Sequence, residues 1–244
     1  MIGENLSSVI AAIGAAAKRA RRVSRGVVVV AASKRQPASA LREYQEAARS
    51  LGIRTVFGES YVQELKLKRA ELPDGAEFHV IGALQRNKVR DAVRLADVIE
   101  SVHSLPILEA VAAAARAEGK RQPIFLQVNI SADPAKSGLD PADVAAVVAL
   151  ASHHSDAIRL DGLMAITALY EAPEEARPDF AKMASLRREL EAGGLAAHFD
   201  GGRILLSMGM SSDYAIAVEE GADLVRIGTS IFGERQGAPE GPPA

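Results

Sequence analysis

Short runs rich in Val, Ile and Leu alternate with longer amphipathic stretches from one end of the chain to the other. The runs fall at residues 27–33, 54–57, 77–81, 98–101, 124–129, 159–164, 204–207 and 224–227. Helical patterns occupy 38–50, 59–70, 87–95, 105–118, 142–152, 174–192 and 212–220 between them. Strands that alternate with helices pair in parallel, because each helix carries the chain back to the end of the sheet where it began. Eight such units predict an α/β fold closed into a single (β/α)8 barrel of the TIM type. An open doubly wound sheet is the runner-up. No G-x-G-x-x-G follows the first strand, which weakens its dinucleotide-binding version. Asp140-Pro141 opens one helix, and Gly52, Gly119, Gly193-Gly194 and Gly221 close others. An extra helix over 5–23 precedes the first strand and is expected to replace the last helix of a standard barrel. Residues 1–236 are expected to form one barrel domain, with the Gly/Pro-rich 237–244 as a disordered tail.

Composition narrows the function classes. With 48% hydrophobic residues the chain can bury a sizeable core, and with no Cys it has no disulfide, thiolate ligand or Cys nucleophile. The formal net charge of −2 gives no nucleic-acid footprint. The basic cluster Lys18-Arg19-Ala20-Arg21-Arg22 reads as a solvated helix face. No signal peptide and no membrane span are evident, so a cytoplasmic protein is expected.

Active sites of this fold lie at the C-terminal ends of the strands. Strand one ends in Ser33-Lys34, and alternation puts Val28, Val30, Ala32 and Lys34 on one face. If that face points inward, Lys34 emerges at the barrel mouth from an apolar wall. Burial there disfavours the ammonium form, and a neutral amine condenses with an aldehyde. The alternative is a lysine that snorkels to solvent, and the strand alone does not decide. Strand seven ends Leu206-Ser207-Met208-Gly209-Met210-Ser211, and strand eight ends Arg226-Ile227-Gly228-Thr229-Ser230. Both loops offer the hydroxyls, glycines and amides that a phosphate site after strands seven and eight requires. Ordinary turn chemistry is the bland account of each loop taken alone. Arg226 shares the inward face with Gly228 and needs an acceptor, either a structural carboxylate or the ring nitrogen of a cofactor. A lysine for an aldehyde, hydroxyls and amides for a phosphate, and an arginine for a ring nitrogen together describe pyridoxal 5′-phosphate (PLP).

A family resemblance rests on Ala32-Ser-Lys34, Phe57-Gly-Glu-Ser-Tyr-Val-Gln-Glu64, Phe78-His-Val-Ile-Gly-Ala-Leu-Gln-Arg-Asn-Lys88, Val128-Asn-Ile-Ser131 with Lys136-Ser-Gly138, Gly162-Leu-Met164, Leu206-Ser-Met-Gly-Met210 and Val225-Arg-Ile-Gly-Thr-Ser-Ile-Phe-Gly233. In these stretches the chain resembles the pyridoxal phosphate homeostasis proteins, also called proline-synthase co-transcribed homologues. Their barrel is similar to the N-terminal domain of alanine racemase. The resemblance implies that Lys34 holds PLP as an aldimine and that Ser207, Gly209, Gly228 and Thr229 hold its phosphate. It further implies that Arg226 faces the pyridine nitrogen and Met164 lies near the ring. Met208, His79 and Ser60 fall in matching stretches and complete the expected cofactor-binding set. The chain departs from the family pattern at Ser60, where Asn is usual, at Ala83, where His is common, and at His103, where Asp is common. On residue type alone His79 reads as a satisfied core histidine rather than an acid–base group. His153-His154 reads as an exposed helix end without metal-ligand spacing.

The function implied is PLP binding in vitamin B6 and amino-acid homeostasis, by a monomer without turnover, with PLP-dependent apoenzymes as candidate recipients. The alternative is an amino-acid racemase of the alanine racemase type, and an aldolase-type Schiff-base barrel stands third. Arg opposite the pyridine nitrogen leaves that nitrogen unprotonated and weakens the ring as an electron sink. Racemisation also needs an acid–base group on each face of the substrate carbon. In alanine racemase one of these is a Tyr from a second domain of a partner chain. No such domain is expected after strand eight, and none of Tyr44, Tyr61, Tyr170 and Tyr214 sits in a motif matching that racemase tyrosine.

Overall fold

The computed structural model describes residues 1–22, 26–72 and 75–233. The expected tail over 237–244 lies outside them, as do 234–236. The strands are β1 (Val28–Ala32), β2 (Val56–Glu59), β3 (Glu77–Val80), β4 (Val98–Val102), β5 (Gln122–Val128), β6 (Ile158–Ala165), β7 (Leu205–Ser207) and β8 (Leu224–Ile227). All pair in parallel in sequence order, and β8 closes on β1 through Val28↔Leu224 to Ala31↔Ile227. This is the expected closed barrel. Its helices are α1 (Ile2–Arg19), α2 (Ala38–Ser50), α3 (Val62–Glu71), α4 (Val89–Leu95), α5 (Leu105–Ala117), α6 (Val144–Ser152), α7 (Arg177–Ala192), α8 (Tyr214–Glu219) and α9 (Thr229–Phe232). No helix among the described residues is long and apolar enough to cross a membrane.

Side-chain parity divides the core in two. Val29 and Ala31 of β1 join the large apolar layer between sheet and helices. Val28 and Val30 point the other way and pack with Val56, Val98, Phe125, Met164 and Leu224 inside the barrel. The inward parity expected for β1 is the observed one.

The first helix buries Leu6, Val9, Ile13, Ala16 and Ala17. Their three- and four-residue spacing makes one stripe along a 3.6-residue helix. That stripe packs against α2, α8 and α9, so α1 fills the gap that the four-residue α9 leaves. The helix begins at Ile2 rather than 5 and stops at Arg19, and the chain turns at Arg21 with φ 54°. The basic cluster is only partly solvated. Arg19 Nε donates to Glu219 Oε1 at 2.7 Å, and Arg22 Nη1 donates to Val218 O at 2.6 Å.

The helix expected over 59–70 starts later, at Val62, because Glu59 closes β2. Its carboxylate is fully buried and is held there by Ser33 and Lys68.

Candidate functional site

A cavity of about 760 Å³ opens at the C-terminal mouth of the barrel. Lys34 of the β1 loop, Ser60 after β2, and Arg226, Gly228 and Thr229 from β8 all line it. These five expected site residues come from distant parts of the chain and meet in one place.

The loop that carries Lys34 is clamped on both sides. The Ser33 hydroxyl donates to Glu59 Oε1 at 2.5 Å. Lys68 Nζ, on α3, donates to Ser33 O at 2.6 Å, to Glu59 Oε1 at 2.8 Å and to Glu64 Oε2 at 2.9 Å. Glu64 Oε2 also accepts the Arg35 amide at 2.7 Å, where Arg35 adopts φ 62°. Burial raises the pKa of the Glu59 carboxyl, against the opposing pull of the Lys68 charge. The direction in which Lys34 leaves the barrel is therefore set by an ion-pair network outside its own strand.

The β7 and β8 loops are arranged by two glycines. Gly209 has φ 94°, and a Cβ there would lie 2.5 Å from Ala217 Cβ on α8. This left-handed turn lets the loop press on α8 and ends the strand alternation. Gly228 carries its amide past β1, where an added Cβ would meet Ala32 O at 3.3 Å. The Gly228 N–H donates to Ser211 Oγ at 3.1 Å, and the Ser230 hydroxyl donates to Ser211 O at 3.3 Å.

Several expected site residues lie elsewhere. Ser207 stays inside the barrel, fully buried, with its hydroxyl committed to Glu100 and Arg226. It is placed outside the mouth lining, as is Gly209, whose carbonyl accepts the Arg226 amide at 2.9 Å. Met208 has the opposite parity and packs in the outer apolar layer. Met164 packs inside the barrel, and Ile166, two residues on, lines the mouth instead. His79 is buried away from the mouth with both ring nitrogens engaged, at 2.5 Å from Glu100 Oε1 and 2.9 Å from Glu77 Oε1. Burial opposes its protonation, yet hydrogen bonds to Glu100 and Glu77 raise its pKa to about 9. His79 is thus a satisfied core histidine in geometry, on the floor side of the barrel. Ala83 and His103, two of the departures from the family pattern, do not line the cavity.

Sequence reasoning missed Ser211, which lines the mouth with Met210 and Ser212. The signal was a second serine in the β7 loop, hidden because alternation stops counting at Gly209. It also missed Glu100, a carboxylate in β4 two residues beyond the inward-facing Val98. Arg226 has the acceptors its burial demands, Ser207 Oγ at 2.7 Å and Ala165 O at 2.7 Å, and the Glu100 carboxylate as counter-charge at 4.0 Å. Among the described residues no group of three His, Cys, Asp or Glu is placed to hold a metal.

The sequence matches the family described as alanine racemase, N-terminal domain, over residues 10–236. It is 40% identical over 240 residues to the pyridoxal phosphate homeostasis protein of Pseudomonas aeruginosa, covering 98% of each chain. The corresponding protein of Escherichia coli is 34% identical over 243 residues, with 96% of this chain and 97% of that one covered. PipY of Synechococcus elongatus, solved with PLP bound, superposes with a TM-score of 0.80 at 35% identity over 96% of this chain and 100% of that chain. An alanine racemase of Clostridium difficile has a TM-score of 0.69 at 13% identity, with 57% of its chain covered, and shares the fold alone. Near-complete coverage in both directions, at this identity and on the same barrel, makes the chain a member of the pyridoxal phosphate homeostasis protein family.

Proposed function

We propose that the barrel binds PLP at its mouth, holds it covalently through Lys34, and serves PLP and amino-acid homeostasis as a carrier rather than an enzyme. One observation carries this reading: Lys34, Arg226 and the Ser211–Gly228–Thr229 group converge on one cavity. When bound, PLP supplies an aldehyde that a lysine amine captures reversibly. The residues present fit such a group. The Thr229 and Ser211 hydroxyls offer donors for a phosphate, with Ser211 oriented by the Gly228 amide and Gly228 leaving room for close approach. Arg226 donates from the cavity floor and does not give up its proton, so it places none on a ring nitrogen. Met164 packs one layer below, and Ser60 stands on the rim.

No tyrosine lines the cavity among the described residues. Tyr44 is buried between Phe57 and Phe232, and the Tyr170 hydroxyl donates to Asp179 Oδ2 at 2.7 Å. The second acid–base group that a racemase needs is missing from the mouth, which favours the carrier. Release then requires only water or an incoming amine at the bond to Lys34. The recipients would be PLP-dependent apoenzymes, and the carrier would act as a cytoplasmic monomer.

The test is borohydride reduction of the PLP-loaded protein followed by peptide mass spectrometry. The cofactor mass is expected on the peptide containing Lys34, and Lys34→Ala should abolish it while keeping weaker, phosphate-anchored binding. Attachment at Lys136 or Lys88 instead would sink the assignment.

A further inference from the structure

The interior of a (β/α)8 barrel is ordinarily filled by layers of branched apolar side chains. Here a polar chain crosses the interior, from β3 and β4 to β7 and β8. His79 of β3, Glu100 of β4, Ser207 of β7 and Arg226 of β8 are 2%, 0%, 0% and 4% exposed. They form one unbroken chain. Arg226 Nη1 donates to Ser207 Oγ at 2.7 Å, and Ser207 Oγ lies 2.5 Å from Glu100 Oε2. Glu100 Oε1 lies 2.5 Å from His79 Nδ1, and His79 Nε2 lies 2.9 Å from Glu77 Oε1. Glu77 in turn pairs with Arg54 at the opposite end of the barrel.

Donor chemistry fixes the first links of this chain. An arginine can only donate, so Ser207 accepts from it and spends its own proton on Glu100. With the Glu100 carboxyl held below and His79 above their ordinary pKa values, Glu100 is a carboxylate that also accepts from His79 Nδ1–H, and His79 gives its second proton to Glu77. Glu77, His79, Glu100 and Arg226 sum to zero charge. A buried neutral chain of this kind holds its members in fixed orientations, because any rotation strands a charge in low dielectric. Burial pushes the Glu100 carboxyl up, but His79, Arg226 and Ser207 bring it below its ordinary value. Arg226 is also held at Nη2 by Ala165 O at 2.7 Å. The other acid whose charge it feels, Asp213, is engaged with the Met210 amide at 2.6 Å.

We infer that Glu100, acting through Ser207, is the positioning residue that aims Arg226 into the mouth, and so sets recognition of the cofactor ring independently of its phosphate. This rests on the carrier reading above, since it assigns a part of the same site. Ser207 becomes a relay between a buried acid and the ring-facing arginine rather than a phosphate ligand. His79 is the counter-ion that keeps Glu100 ionised without drawing Arg226 down into the barrel.

The test is a double-mutant cycle on ligand binding. Dissociation constants for PLP, and competition by inorganic phosphate as a probe of the phosphate group alone, are measured for wild type, Glu100→Gln, Arg226→Gln and the double variant. Glu100→Gln is isosteric and should weaken PLP roughly ten-fold, the scale of one misaligned hydrogen bond, while leaving phosphate competition unchanged. In the Arg226→Gln background it should cause no further loss. The absorbance maximum of bound PLP should shift alike in Glu100→Gln and Arg226→Gln. Ser207→Ala, which cuts the relay and leaves both charges in place, should reproduce the selective loss and decides the matter if Glu100→Gln does not fold. Equal weakening of PLP and phosphate, or the same loss with and without Arg226, would show that Glu100 serves only the fold. If wild type bound PLP while Glu100→Gln and Ser207→Ala bound it equally well with unshifted spectra, this inference alone would fall. A wild type that did not bind PLP would overturn the carrier reading and this inference together.

Discussion

Gly209 decides which serine reaches the mouth. By strand alternation Ser207, Gly209 and Ser211 all share one face, and nothing in the residue types separates them. The φ of 94° at Gly209, where a side chain would also clash with Ala217, breaks the pattern between them. Ser207 is left on the barrel axis, and Ser211 lies beside the Gly228 amide. Lys34, Arg226 and Gly228 were legible in the sequence because each sits at or just past a strand end, before any such break. Ser211 was not, since its position depends on a turn set by another element. A charge-assisted hydrogen bond to a phosphate is worth about 1.5–3 kcal/mol. Ser211→Ala and Thr229→Ala are therefore each expected to weaken PLP at least ten-fold with little change in thermal stability. Both should also weaken competition by inorganic phosphate, which Ser207→Ala should not. If pyridoxal, which lacks the phosphate, bound as tightly as PLP, the assignment of these two residues would fail.

Element boundaries followed from the sequence where periodicity and turn chemistry acted alone. The helix over 38–50 and the strand over 224–227 match α2 and β8 residue for residue. They failed at the start of α3, where an acidic residue just before a helical pattern reads as the first turn. Glu59 instead ends β2 because Lys68, nine residues on, supplies its counter-charge. A lone residue's propensity cannot report a partner that only the folded helix brings back. This ion pair ties α3 to β2 and to the carbonyl before Lys34. Lys68→Met keeps most of the apolar stem and removes the charge. Breaking a buried pair costs on the order of 3–5 kcal/mol when it leaves a carboxylate stranded. Protonation of Glu59, whose pKa is already raised by burial, relieves that cost. The variant should therefore be markedly destabilised at pH 8 and less so at pH 5, measured by urea unfolding against wild type. It should also load PLP onto Lys34 more slowly at pH 8, followed by borohydride trapping. A destabilisation that did not vary with pH would mean that Glu59 is not the group left unpaired.

At the scale of the whole barrel, the buried axis makes stability depend on alkaline pH through a group that takes no part in the mouth. His79 titrates at about 9, because Glu100 and Glu77 outweigh the burial that opposes its charge. An unfolded histidine titrates at about 6.5. The folded protein thus holds this proton more tightly than the unfolded chain. The stabilisation is fully present below about pH 6.5 and is lost as pH rises through about 9. On the acid side Glu77, lowered to about 2 chiefly by its hydrogen bond with His79, contributes above its unfolded pKa of about 4.3. That contribution fades as pH falls through about 2. Wild type should therefore lose stability between pH 7 and 10 by an amount on the order of 2–3 kcal/mol from His79. His79→Gln can still bridge Glu77 and Glu100 by an amide donor but has no proton to release. It should be less stable than wild type at pH 7, and its stability should decline less steeply toward pH 10. Other groups that titrate there are common to both proteins, so the difference between the two curves isolates the imidazolium. Urea unfolding at unit intervals from pH 6 to 10 measures it. Parallel curves would show that His79 is neutral in the fold; Glu100 would then have Arg226 as its only cation, and the charge of the barrel axis would have to be balanced at the mouth rather than within.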